Sequence, residues 1–224
     1  MVKVCQSAII NSMNPIIATN HVANWLDALN VEDDIHLFDM DGDPDCSLTV
    51  RLDAEGLMQR SQAFSDHIEA IKKRVKSAFG TPNCPEGVIY LIYRTQKDST
   101  CPEPLYIGVS DVKGDKGEIN SLFKSGHIRF GHKPKVNGHL SKLNEALQAA
   151  LGGRLHSHRH WIDEMFEDVT TPRLKTPVYV HMQVWEVNSQ SIFPEMEHCS
   201  ILTEEQIRLE LVRQSGRGDH LLNK

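Results

Sequence analysis

The most constraining feature of this 224-residue chain is a pair of short β-type strings separated by a polar stretch. The first string, 87–93, starts with glycine and continues as an unbroken run of β-branched, aliphatic and aromatic residues. The second, 105–109, has the order Leu-Tyr-Ile-Gly-Val, and the residues between them, 94–104, are polar and include two prolines. Two strands joined by a polar loop predict a β-hairpin, which would bring Tyr90 and Tyr106 onto one small sheet.

The composition is typical of a soluble globular protein with one large domain, or one domain with an extension. Hydrophobic residues make up 40% of the chain, and no apolar run approaches the roughly 18 residues that span a bilayer. The first residues lack the basic start and long apolar stretch of a secretory signal. The five cysteines are scattered without zinc-type spacing, which favours reduced thiols. We therefore expect a cytoplasmic protein without a membrane partner, whose oligomeric state the sequence leaves open.

The net charge of −6 argues weakly against a nucleic-acid partner, but the charge is unevenly distributed. Residues 31–70 carry eleven acidic residues against two arginines, whereas 113–160 carry nine lysines or arginines against three acidic residues, plus six histidines. A basic stretch can follow a phosphate backbone, although charge alone more often marks a solvated face. A metal-storage or metal-sensing protein built on His156, His158 and His160 is a weaker alternative, because alternate residues at a helix start do not share a face.

Helices and short strands are predicted before the hairpin, in the order helix 16–29, strands 37–38 and 47–52, and helix 54–79. Asn20 is the predicted N-cap of the first of these helices. A cluster of glycines and prolines at 80–87 interrupts the periodic pattern. We therefore expect an N-terminal extension of unassigned role, 1–80, and a main domain, 85–224.

After the hairpin, the predicted elements are helices 118–124, 140–151 and 155–167, a strand at 176–187, and a final helix from an N-cap at Thr203 to about Gln214. The strand would be the third of the sheet. The predicted fold class is therefore α/β in the α+β sense. It comprises a small antiparallel three-stranded sheet flanked by helices, with an N-terminal extension of helices and strands.

This order of elements, which ends on a terminal asparagine, resembles the GIY-YIG nuclease superfamily over about residues 85–224. The second string, from Tyr106 to Gly108, matches the family pattern fully. In that family two tyrosines lie on the sheet, and one divalent metal binds a glutamate on a late helix. The resemblance implies an endonuclease that hydrolyses DNA phosphodiester bonds with Mg²⁺ or Mn²⁺. The stand-alone size suggests a restriction-type or mobile-element-associated enzyme.

The first string departs from the family pattern at its glycine. Val88 stands where the family has glycine, and Gly87 lies one residue earlier. A rival register uses Tyr93, which would face the side of the strand opposite to Tyr90. The glycine at the start of the strand favours Tyr90. By resemblance, Tyr90 would deprotonate or orient the attacking water, with Tyr106 beside it.

The resemblance also implies a basic group that stabilises the phosphate in the transition state. Arginine suits this role because its planar fork binds two phosphoryl oxygens and stays charged. At the family's commonest spacing the chain has Lys116, so Arg129 is the candidate, placed after an insertion. The predicted substrate-binding residues are Gly108, Lys116, His132 and His139.

The metal ligand implied by the family must come from the final helix, which offers three glutamates. Glu205 is the first candidate and Glu210 the alternative, while Glu204 stays open. Asn223 corresponds to the terminal asparagine, which would fix the local backbone or contact the substrate. Because two signature positions depart from the pattern, the alternative function is a non-catalytic DNA-binding or protein-interaction module on the same fold.

Overall fold

A computed structural model describes residues 15–29, 35–43, 47–52, 58–95, 101–112, 164–167, 172–193, 196 and 199–223. Its elements are α1 (Pro15–Asp27), β1 (Ile35–His36), α2 (Gln62–Ala78), β2 (Gly87–Thr95), β3 (Pro102–Asp111), β4 (Val178–Trp185) and α3 (Ile201–Gln214). The predicted helices at 118–124 and 140–151 lie outside the described residues.

The strands form one antiparallel sheet in the order β1-β4-β2-β3. The α+β class is therefore confirmed, but the predicted number of three strands is wrong. Residues Ile35 and His36 add a fourth strand by pairing with Val180 and Tyr179 of β4. Two residues are too few to show an alternating pattern, so the sequence did not predict this strand. It forms by pairing with backbone groups at the edge of β4, which an edge strand otherwise leaves open.

The two faces of the sheet carry separate hydrophobic clusters. Since alternate residues of a strand face the same side, Val88 and Ile92 belong to the cluster that includes α2, and Tyr90 packs against it. Ile89 and Tyr93 belong to the cluster on the opposite face, which α1 and α3 cover. The two tyrosines of β2 therefore face opposite sides, as predicted.

The apolar stripe predicted for the long helix before the hairpin is buried in the structure. The buried members are Phe64, Ile68, Ile71 and Val75. The helix begins at Gln62, however, and not at the predicted residue 54. Ser61 is the N-cap of this helix. Its Oγ accepts the Phe64 N–H at 3.0 Å and donates to the His36 carbonyl at 2.5 Å.

The predicted N-caps of the first and last helices are wrong. Asn20 lies inside α1, which already begins at Pro15, and proline suits a first helical turn. The last helix begins at Ile201, because the Ser200 hydroxyl accepts the N–H of Thr203 at 3.3 Å. Ser and Thr are both good N-caps, so the local sequence does not separate the two positions.

The predicted hairpin and late strand are present as β2, β3 and β4. β3 extends further than predicted, since the residues on each side of the loop also pair. The strands predicted at 37–38 and 47–52 occur as isolated bridges, such as Met40 with Val50. Of the helix predicted at 155–167, only 164–167 are described.

No helix in the described part of the chain is long and apolar enough to cross a membrane. Of the cysteines in the described part of the chain, Cys84, Cys101 and Cys199, none forms a disulfide bond. The described elements of the N-terminal region pack against the same sheet as the hairpin. The division of the chain at residue 80 stays a prediction.

Replacing Ser61 by alanine should lower the free energy of unfolding by about 1–2 kcal/mol, because it removes the N-cap of α2. It also removes the hydrogen bond to His36 that ties the helix to β1. Urea denaturation measures the change. Ser77→Ala is the matched control, since the exposed Ser77 hydroxyl only donates to the Arg74 carbonyl in the last turn. Equal effects of the two variants would contradict the capping role.

Candidate active site

The two tyrosines of the hairpin strings lie side by side over a glycine. Tyr90 is opposite Gly108 in the β2–β3 register, and the Tyr90 and Tyr106 rings stack with centroids 5.9 Å apart. A Cβ added at Gly108 would lie 2.5 Å from Tyr90 Cζ and 2.7 Å from Tyr106 Cε1. Only glycine therefore fits at residue 108, because the Tyr90 ring occupies the space that a side chain at this residue would need.

Burial and neighbouring charges hold both phenols in the neutral form. Burial is the largest cause that raises the pKa of Tyr90 well above its usual value, followed by the charge of Tyr106. Burial also raises the pKa of Tyr106, and the Glu205 carboxylate raises both. A hydrogen bond between the phenols raises the pKa of Tyr90 and lowers that of Tyr106. Tyr106 is therefore the more readily ionised of the two.

The three candidate glutamates of α3 have different surroundings. Glu204 is fully buried and binds Arg208 Nε at 2.8 Å. Glu210 accepts a hydrogen bond from Gln214 at 2.9 Å. Of the three, only Glu205 acts on the two tyrosines, through the effect of its charge on their pKa values. Because successive helical residues point about 100° apart, burial of Glu204 turns Glu205 in a different direction.

Glu204 has a structural role in the loop before the helix. Its Oε1 accepts the N–H of Ile192 at 3.1 Å, and its Oε2 lies 3.6 Å from the Cys199 Sγ. Burial raises the pKa of the Cys199 thiol to about 12, with a further contribution from the Glu204 charge. These contacts occupy Glu204 away from the tyrosine pair.

Asp111 is a candidate that sequence reasoning missed. It ends β3, three residues after Gly108, and lies opposite Gly87 in the register. Burial raises the pKa of Glu205, and the Asp111 charge raises it further. Burial, followed by the charge of Glu86, likewise raises the pKa of Asp111. The available signal was an acidic residue at a strand end just past the second string.

A partly buried carboxylate whose ionisation is opposed by a second carboxylate, as that of Glu205 is by Asp111, favours a nearby cation. Among the described residues, Asp111 Oδ1 is buried and has no hydrogen-bond partner. No described group of three or more histidine, cysteine or acidic residues could hold a metal ion. Mg²⁺ often binds through one or two carboxylates and keeps several waters. Glu205 and Asp111 fit that smaller requirement.

Asn223 holds the backbone of the second string. Its Nδ2 donates to the Ile107 carbonyl at 2.7 Å, and its Oδ1 accepts the Ile107 N–H at 2.9 Å. The adjacent Leu222 N–H donates to the Leu105 carbonyl at 2.7 Å. Of the two predicted roles, the fixing of the local backbone therefore accounts for the contacts of Asn223.

The predicted basic residues Lys116, Arg129, His132 and His139 all lie outside the described residues. The candidate site among the described residues is acidic and phenolic. It comprises Tyr90, Tyr106, Gly108, Asp111, Glu205 and Asn223.

Comparisons with protein-family models, with curated proteins and with solved structures found no match. Membership of the GIY-YIG superfamily therefore stays a prediction from the sequence.

Gly108→Ala should lower the free energy of unfolding by roughly 1–3 kcal/mol, because the new methyl group displaces the Tyr90 ring. Chemical denaturation measures the change in the wild-type and Tyr90→Ala backgrounds. The cost should fall in the second background, where the ring is absent. The same cost in both backgrounds would contradict the close approach of Tyr90.

Glu204→Gln and Glu205→Gln should have opposite effects on stability at pH 7. Glu204→Gln leaves Arg208 buried without its counter-ion, which should cost roughly 3–5 kcal/mol. Glu205→Gln should instead stabilise, because burial and Asp111 disfavour the ionised Glu205.

The sign follows from the raised pKa of folded Glu205. The ionisation penalty is absent below the unfolded pKa of about 4.3, grows as the pH rises from there to the raised folded pKa, and is fully present above it. The advantage of Glu205→Gln should therefore vanish near pH 4, as followed by urea denaturation across pH. A stabilisation that is constant with pH would contradict this assignment.

Proposed function

We propose that this protein is a divalent-metal-dependent endonuclease of the GIY-YIG type, which hydrolyses DNA phosphodiester bonds. The observation that carries the proposal is the joint placement of four groups. Tyr90 and Tyr106 stack over Gly108, and the Glu205 carboxylate is close enough to shift the pKa of both phenols. A chance pair of core tyrosines would not require an adjacent glycine and an acidic group at once.

The phenol pair supports a division of labour between the tyrosines. The hydrogen bond between the phenols raises the pKa of Tyr90 and lowers that of Tyr106, so Tyr90 would keep its proton and donate it in a hydrogen bond to an ionised Tyr106. Because the hydrogen bond with Tyr90 lowers the pKa of Tyr106, Tyr106 is the better candidate to lose its proton to solvent and then, as the phenolate, to accept a proton from the attacking water. Tyr90 would then orient Tyr106 and stabilise its anion. This assignment reverses the roles that the family resemblance implies.

The metal in this proposal would be held by Glu205 and Asp111. A bound Mg²⁺ or Mn²⁺ supplies Lewis acidity at a phosphoryl oxygen and makes coordinated water more acidic. The two carboxylates provide hard oxygen ligands, and the buried Asp111 Oδ1 lacks a hydrogen-bond partner in the described structure. A nearby cation would also offset the effect of the Glu205 charge on the phenols.

The remaining roles rest on the family resemblance and on the charge distribution. Arg129 would stabilise the charge that develops on the phosphate, and Lys116, His132 and His139 would contact the substrate. They belong to the basic stretch 113–160, which suits a DNA backbone. Asn223 would act through Ile107, which lies between Tyr106 and Gly108.

The test is incubation of purified protein with duplex plasmid and Mg²⁺ or Mn²⁺. Cleavage by Tyr106→Phe should be slower by about 10²–10⁴-fold, as is typical when a general base is lost. Glu205→Gln should lose about 10²-fold or more, because several kcal/mol of charge stabilisation depend on the metal. Tyr90→Phe should retain more activity than Tyr106→Phe.

Glu210→Gln is the matched control, since it alters the same helix away from the tyrosines. A second measurement is the rise in Tm on adding Mg²⁺ or Mn²⁺, expected for wild type and Glu210→Gln but absent in Glu205→Gln. No cleavage of any DNA or RNA substrate would refute the enzyme. Salt-sensitive DNA binding without cleavage would then favour the non-catalytic module.

A further inference from the structure

The first turn of α3 is held by two different residues. The first four N–H groups of an α-helix have no partner within the helix. The Ser200 hydroxyl accepts the N–H of Thr203, whereas the N–H of Ile201 donates to Oε2 of the Glu86 carboxylate at 2.9 Å. Ser200 directly precedes the helix, but Glu86 lies 115 residues before Ile201, just ahead of β2. The hydrogen bond to Glu86 therefore ties the helix to the sheet.

The backbone of Glu86 joins the ends of two further strands. Its N–H donates to the carbonyl of Trp185, at the end of β4, at 2.8 Å, and its carbonyl accepts the N–H of Val112 at 2.8 Å. Val112 directly follows Asp111, the last residue of β3. One residue thus connects the start of β2, the ends of β3 and β4, and the first turn of α3.

Close packing at Gly87 brings the same elements together. A Cβ added at Gly87 would lie 2.4 Å from the Ser110 carbonyl oxygen and 2.7 Å from Ile201 Cδ1. The Ile201 side chain therefore lies over the start of β2, beside the end of β3. The absence of a side chain at Gly87 permits this approach of the helix to the sheet.

The contact of Ile201 with the sheet also sets the direction of Glu205. Residues four apart share one face of an α-helix, and each side chain leans toward the N-terminal end of the helix. Glu205 follows Ile201 by four residues, so it lies on the face of α3 that Ile201 turns toward the end of β3. That strand end carries Asp111, whose charge opposes the ionisation of Glu205.

We propose that Glu86 is a positioning residue that sets the distance between the carboxylates of Glu205 and Asp111, the proposed metal ligands. Its side chain fixes the helix that carries Glu205, and its backbone fixes the strand end that carries Asp111. Replacing a residue that orients metal ligands typically lowers the metal affinity by about 10–100-fold. The role of Glu86 rests on the metal site of the proposed function, but not on the cleavage of DNA.

The test compares Glu86→Gln with Glu86→Ala in the full-length protein. Both variants lack the charge of Glu86, but only the glutamine amide oxygen can still accept the Ile201 N–H. The affinity for Mn²⁺, measured by isothermal titration calorimetry without DNA, should therefore be about tenfold lower in Glu86→Ala than in Glu86→Gln. Glu205→Gln identifies the site, since the Mn²⁺ binding that this variant loses is the binding to be compared.

Hydrogen exchange without metal provides a second measurement. The Ile201 amide should exchange about fivefold faster in Glu86→Ala than in Glu86→Gln, the scale of one hydrogen bond. The Val112 amide should stay equally protected in both variants, because its partner is the backbone carbonyl of residue 86. Glu86 is only partly buried, so both variants should fold, as circular dichroism would verify.

Two further variants separate positioning from a general loosening of the helix. Ser200→Ala removes the other cap of α3 and leaves Glu86 intact, so the affinity for Mn²⁺ should match that of the wild type. Glu86→Leu keeps a side chain of similar size without a hydrogen-bond acceptor, and it should share the loss of Glu86→Ala.

Equal Mn²⁺ affinities of Glu86→Gln and Glu86→Ala would refute the role of Glu86. An equal loss in Ser200→Ala, or a wild-type protein that binds no more Mn²⁺ than Glu205→Gln, would refute it as well. The expected affinities without cleavage of DNA would leave the role of Glu86 standing and refute the nuclease. Cleavage together with equal affinities would do the reverse.

Discussion

The register of β2 against β3 is the constraint on which the candidate site depends. It sets Tyr90 opposite Gly108, where the absent side chain leaves room for the phenol ring. A slip of one residue would move every side chain of the strand to the other face. Pairing on both edges of β2 prevents such a slip, since Tyr90 is also opposite Met182 of β4. The outer edge of β3 is held in turn by hydrogen bonds of Leu222 to Leu105 and of Asn223 to Ile107.

The second constraint is the rotation of α3, which a buried ion pair fixes. Arg208 is only 2% exposed, and its guanidinium lies over the rings of Trp25 and Trp185 at 5.0 and 5.7 Å. Gln183 of β4 accepts a further hydrogen bond from Arg208 at 2.8 Å. These contacts compensate the desolvation of Glu204 and Arg208. They also give α1 a part in placing the neighbouring Glu205, because Trp25 belongs to that helix.

Burial is the property that separates the candidate residues from similar residues elsewhere. Glu205 is partly buried beside Asp111, so the pKa of its carboxyl is raised. The phenols are partly buried beside Glu205, so the pKa of each is raised in the same direction. Because Glu205 opposes the ionisation of both phenols and Asp111 opposes that of Glu205, a positive charge would be needed for these groups to ionise together. That requirement connects the described residues of the candidate site with the cation and the basic stretch that the proposed function invokes.

The sequence by itself determined the hairpin, the buried stripe of α2, the late strand and the tyrosine strings, because alternation and helical spacing are local properties. It did not determine β1, whose two residues become a strand only against β4. It left Ser200 and Thr203 equivalent as N-caps. In the structure the helix starts after Ser200, where the N–H of its first residue, Ile201, donates to the Glu86 carboxylate at 2.9 Å. Only the tertiary structure distinguished Glu205 from Glu204 and introduced Asp111, since helix rotation and desolvation depend on residues distant in the chain.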